Sequence, residues 1–146
     1  MKHVLHLLAS TALLAACSPA GDDGLEPVPL GNATGVIVIT QNVVPGLTME
    51  ALFQGRVVLD GAGCLRLDSP DPATVVWPKG FTVVADGDTL RVRDAAGREV
   101  GHVGGTFRLG GGELGSLHAG VPVSAADRER AHASCPGGYW IVGDVM

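Results

Sequence analysis

His102, His118 and His132, with Glu113 between the first two, are the side chains in this chain best suited to hold a metal ion. Zinc or copper needs three or four such ligands converging at about 2 Å. Tight ligand spacing is missing, since there is no His-x-His, no Cys-x-x-Cys and no His-Glu-x-x-His. The expectation is surface histidines and no cofactor, with metal binding through His102, Glu113, His118 and His132 as the alternative. A cysteine nucleophile at Cys64 or Cys135 would need a free thiolate beside a histidine. A serine hydrolase would need a Gly-x-Ser-x-Gly elbow between strand and helix, which Ser69, Ser116, Ser124 and Ser134 all lack. The runs Gly101-His102-Val103-Gly104-Gly105 and Leu109-Gly110-Gly111-Gly112-Glu113 would cradle phosphate only ahead of a helix N-terminus, and strands or loops follow them instead. Glycine at that density in β-rich sequence marks bulges, corners and close backbone approach. Asp86, Asp88 and Asp94 sit at turn signals and lack the ligand pattern of a calcium loop. No enzyme is expected.

The elements that carry these residues read as strands. Val36 to Ile39 is β-branched throughout, and Leu52 to Leu59 follows after Pro45-Gly46. Leu65 and Leu67 alternate with Cys64, Arg66 and Asp68, and Thr74 to Trp77 stops at Pro78. Trp77-Pro78-Lys79-Gly80 has the pattern of a type I turn. Phe81 to Ala85 should pair with Thr89 to Asp94 across Asp86-Gly87-Asp88. Asp94-Ala95-Ala96-Gly97 marks a second hairpin, from which Arg98 to Val103 and Thr106 to Leu109 extend the meander until Gly110-Gly111-Gly112-Glu113 breaks it. Ser124-Ala125-Ala126-Asp127 resembles a helix capping box and predicts one short surface helix, with Arg128, Arg130 and His132 toward its C-terminal end. Tyr139 to Val145 supplies the last strand. Trp77, Phe81, Phe107, Tyr139 and Trp140 are few and are needed for the core. The predicted fold is all-β: a small, partly closed five- to six-stranded barrel, OB-like, with one short helix before the last strand; a small β-sandwich is the alternative.

Arg56, Arg66, Arg91 and Arg93 fall on polar sides of predicted strands and form a candidate contact face, unless they are simply solvated. The formal net charge is −5, which argues against nucleic acid as a partner and against docking on anionic lipid through a basic patch.

The amino-terminal segment supplies the address. Lys2 starts it, Val4 to Leu14 is largely apolar, and it ends in Leu14-Ala15-Ala16-Cys17. That is the layout of a secretory signal, too short to span a bilayer permanently. Leu14-Ala15-Ala16-Cys17 resembles the lipobox of bacterial lipoproteins. The resemblance implies cleavage before Cys17 and a diacylglycerol thioether on it. The domains are then residues 1–16 as signal peptide, 17–33 as lipidated cysteine and flexible tether, and 34–146 as one β-rich domain. The tether is rich in Pro, Gly and acid. Asn32-Ala33-Thr34 is read as a chance sequon.

Assigning Cys17 to lipid leaves Cys64 and Cys135 in an oxidising compartment. A structural disulfide is expected, worth about 4 kcal/mol by loop closure; two free thiols are the alternative. If Leu65 and Leu67 face the core, Cys64 faces away, and the bond would staple the helix-bearing loop to the outer wall of the barrel. Gly63-Cys64-Leu65, Trp77 to Phe81, Gly110 to Glu113 and Cys135-Pro136-Gly137-Gly138-Tyr139-Trp140 are similar to a group of small bacterial secreted lipoproteins. That resemblance implies the same cysteine pairing and a compact β-rich fold, and it brings no catalytic residue. If the bacterium has two membranes, Ser18, by analogy with the lipoproteins of such bacteria, implies delivery to the periplasmic face of the outer membrane; in a bacterium with one membrane it implies nothing. The expected partners are the membrane, through the anchor, and an envelope protein or glycan.

Overall fold

The computed structural model describes residues 35–44 and 50–146. The expected signal peptide and tether, Cys17, the Asn32-Ala33-Thr34 match and Pro45-Gly46 lie outside the described residues.

The strands are β1 (Ile39–Thr40), β2 (Ala51–Leu59), β3 (Leu65–Leu67), β4 (Thr74–Trp77), β5 (Thr82–Asp86), β6 (Thr89–Arg93), β7 (Glu99–His102), β8 (Thr106–Leu114) and β9 (Tyr139–Val145), with α1 (Ala125–Ser134) before the last. The larger sheet runs β1-β4-β3-β2-β8-β9. A parallel pairing of β4 with β9 closes it, setting Thr74 opposite Tyr139 and Val76 opposite Ile141. The result is a closed five-strand mixed barrel of OB-like form, made of β2, β3, β4, β8 and β9. The short β1 adds beside β4 in parallel. Of the expected run Val36 to Ile39, only Ile39 enters this strand, and Ile37 makes a lone bridge to Cys64.

Two corrections concern the middle of the chain. The meander β5-β6-β7 forms a separate sheet, and Thr106 onward leaves it to pair with β2 and β9. Gly110 to Gly112 does not break a strand but lies inside β8, with a register shift between Gly110 and Gly111. The physical reason is close approach: a Cβ on Gly111 would collide with the Ile141 carbonyl oxygen, so only glycine lets β9 lie this near. The turn expected over Trp77–Gly80 is displaced by one residue. The Phe81 N–H donates to the Pro78 carbonyl at 3.2 Å, and Gly80 takes a φ of +85°, the position that requires glycine in a type II turn. The two predicted hairpins form in place: Asp86 pairs with Thr89, and the Gly97 N–H donates to the Asp94 carbonyl at 2.9 Å.

Alternation along the wall separates two apolar layers. Val75, Trp77, Trp140 and Val142 point into the barrel, where Val57, Leu65, Leu67, Phe107 and Leu109 join them. The meander covers one mouth of the barrel, inserting Leu90 and Val92 beside Val103. There Trp77 stacks on Phe81 with ring centres 6.0 Å apart and meets the edge of Phe107 at 5.7 Å. Val76, Tyr139 and Ile141 point outward and are buried instead by Ile39, Leu117, Val121, Val123 and Ala131 of α1. Strands covered on both sides read as continuous apolar runs, as Thr74–Trp77 does. The helix starts where expected: Ser124 is its N-cap, and its hydroxyl accepts from the Asp127 N–H at 3.0 Å.

Candidate functional site

The site is built at the mouth away from the meander, where β8 ends and β4 and β9 begin. Asp60, just past β2, starts it. One carboxylate oxygen accepts from the N–H groups of Ala62 at 2.9 Å and Cys64 at 2.8 Å, which folds the tight turn into β3. The other accepts from Arg66 Nε at 2.8 Å. The Arg66 Nη1 donates to the Pro72 carbonyl at 3.3 Å and Nη2 to the Pro136 carbonyl at 3.0 Å. Arg66 therefore ties the turns on either side of β3 to the segment at Pro136, seventy residues away. The pair is largely out of water, with side chains 10% (Arg66) and 12% (Asp60) exposed, so its hydrogen bonds act at reduced screening.

A covalent bond reinforces the same joint. Cys64 and Cys135 form a disulfide, Cα atoms 5.8 Å apart and 71 residues apart in sequence. Cys64 points away from the core that receives Leu65 and Leu67, so the bond fastens the end of α1 to the outside of the barrel wall, as alternation predicts. The Tyr139 hydroxyl donates to the Cys135 carbonyl at 3.0 Å. Burial pushes the Tyr139 phenol pKa upward, opposed by the nearby Arg66 charge, so the phenol stays neutral at neutral pH.

Between these walls opens a shallow cleft of about 470 Å³, lined by Asp60, Arg66, Asp71, Glu113, Gly137 and Gly138 with the two flanking prolines. Its far wall is bare backbone. A Cβ on Gly137 would stand 3.5 Å from Arg66 Nη1, and one on Gly138 3.3 Å from Glu113 Oε1. Glu113 and Asp71 are exposed at the rim, while Arg66 is buried in the wall. The arrangement offers fixed donors from a guanidinium on one side and carboxylate acceptors on the other.

The remaining candidates lie elsewhere. Arg56 binds Asp68, and Arg91 binds Asp86 at 2.6 Å and Glu99 at 2.7 Å, hydrogen bonds that push its pKa upward. Arg93 is exposed on β6. The four arginines are thus divided between two sheets, and only Arg66 reaches the cleft. His102 ends β7, His118 sits in a loop where its Nδ1 accepts from the Gly120 N–H at 3.2 Å, and His132 lies on α1 with its ring 6.3 Å from Tyr139. These histidines do not join Glu113, and among the described residues no group of three His, Cys, Asp or Glu is placed to hold a metal. Asp60, Asp71, Gly137 and Gly138 were not singled out by sequence as site residues. Asp60 carries a local signal, an aspartate heading Gly-Ala-Gly ahead of Cys64; Asp71 carries none.

Among the described residues no helix is long and apolar enough to cross a membrane. No protein-family model, curated protein or solved structure matches the chain.

Proposed function

We propose that this protein is a lipid-anchored, non-catalytic binding protein of the bacterial cell envelope, held by Cys17 and presenting the cleft at Arg66 to an envelope component. The observation that carries the reading is the division of the cysteines. One closes a leader in Leu14-Ala15-Ala16-Cys17, and the other two are joined in a disulfide, the bond of an exported domain. The pairing also consumes both candidate thiol nucleophiles. The position of the cleft supports binding. OB-type barrels take ligands on the face of their second and third strands, flanked by the loops before the second and before the fifth. Counted along this barrel, Arg66 is on the second strand, Asp60 is in the loop before it, and Pro136 to Gly138 end the loop before the fifth. The acidic balance disfavours nucleic acid there, leaving a protein or glycan of the envelope.

Growth of bacteria expressing the full chain with a radiolabelled fatty acid tests the anchor. Label should enter the wild type, and Cys17→Ser should abolish labelling and move the protein to the soluble fraction. An unprocessed Met1 in the intact mass of the membrane-bound wild type would overturn the reading.

A further inference from the structure

We infer that the cleft binds a small zwitterion of amino-acid to dipeptide size, its carboxylate on Arg66 and its ammonium on Glu113 and Asp71. The inference rests on the binding reading above and names the ligand chemistry of the same cleft. Arg66 carries five N–H donors. One from each nitrogen goes to Asp60, Pro72 and Pro136, which leaves two without a partner among the described residues. A carboxylate is the planar acceptor that fits such a fork. A simple anion is disfavoured all the same, because Asp60 already neutralises Arg66 and the rim adds Glu113 and Asp71. A simple cation would leave the guanidinium donors unanswered. A ligand with both charges satisfies both walls.

Scale points the same way. Arg66 Nη1 and Glu113 Oε1 face the Cβ positions of two consecutive residues, Gly137 and Gly138, at 3.5 and 3.3 Å. Consecutive Cα atoms are about 3.8 Å apart. Both charges therefore border the same two-residue stretch of backbone, the scale of an amino acid or dipeptide. The absence of side chains at 137 and 138 keeps the opening there free. The disulfide makes it conditional, since Cys135 holds the glycine wall and Cys64 sits between Asp60 and Arg66 on the other.

The test is titration of the full chain, purified in detergent, with glycylglycine, N-acetylglycylglycine, glycylglycinamide and the neutral disaccharide cellobiose, followed by amide chemical shifts. Glycylglycine should move the Gly137 and Gly138 signals, and blocking either end should weaken binding about tenfold, the loss of one charge-assisted hydrogen bond. Glu113→Gln, an exposed change that leaves Asp71 in place, should shrink the penalty for acetylation while keeping the full penalty for amidation. Reduction of the disulfide should abolish the response. Shifts with cellobiose and none with the dipeptide would overturn the zwitterion and leave a binding cleft standing. Equal affinity for blocked and free dipeptides would also overturn it. No shift with any of the four would remove the cleft from both readings.

Discussion

The two mouths of the barrel are closed by different means. Under the meander, Trp77, Phe81, Phe107, Leu90 and Val92 interlock in an apolar layer, and no single contact defines it. At the opposite mouth, Arg66, Asp60 and the Cys64–Cys135 bond gather three loops around an open cleft. Burial of apolar area is non-directional and spread over many atoms. The polar mouth depends on a few directional bonds, each of which is hard to replace. Such a joint can leave backbone bare and charges unsaturated without collapsing, which is what a binding surface needs. Beside Phe81, Val100 and Val145 lies a smaller notch of about 370 Å³.

The contrast breaks most sharply at sulfur. Replacing both Cys64 and Cys135 by serine should lower stability by about 4 kcal/mol in urea unfolding, the loop-closure value for a bond of this span. Hydrogen exchange of that variant should rise first at α1 and Gly137–Tyr139, with Val57, Phe107 and Leu109 still protected. A uniform rise would mean that the two mouths are one cooperative unit.

The converse change sharpens it. Phe107→Ala empties the layer under the meander and should cost about 3 kcal/mol. The disulfide should still form and the Gly137 and Gly138 amide signals should stay in place. Displacement of those signals would show that the apolar mouth also shapes the cleft.

The smallest effect is electrostatic and confined to the meander. The Arg98 backbone N–H holds the Asp94 carboxyl below its ordinary value of 3.8; partial burial opposes this, and the Arg98 guanidinium and the Ala96 N–H assist. A depressed folded-state pKa adds stability above pH 3.8 that is lost as pH falls through the lower folded value. Asp94→Asn should therefore flatten the acid limb of the melting-temperature profile below pH 4 and leave the cleft signals unchanged. An identical acid limb in wild type and variant would show that the Asp94 turn does not contribute there.

Much of this architecture was legible because it is local. Asp86-Gly87-Asp88 and Asp94 to Gly97 specify hairpins within a few residues, Ser124 to Asp127 caps a helix, and Leu65 and Leu67 disclose which way Cys64 must point. Turn chemistry, capping and strand alternation act over one to four positions, so sequence alone reaches these, though it sets the turn after Trp77 one residue early. It did not reveal that Gly110 to Gly112 continues a strand, because the reason is the Ile141 carbonyl, thirty residues away. Nor could spacing bring Glu113 to Arg66 and away from the histidines.

The amino-acid sequence by itself determined the strand order along the chain, the two hairpins, the capped helix and the residues that must be buried. Tertiary structure alone decided that β4 and β9 meet in parallel to close the barrel, that the meander stands apart as a lid on one mouth, and that the other mouth holds a cleft of mixed charge. Parallel closure and cleft walls join residues far apart in the chain, and their pairing depends on how the apolar layers pack rather than on any neighbour's identity.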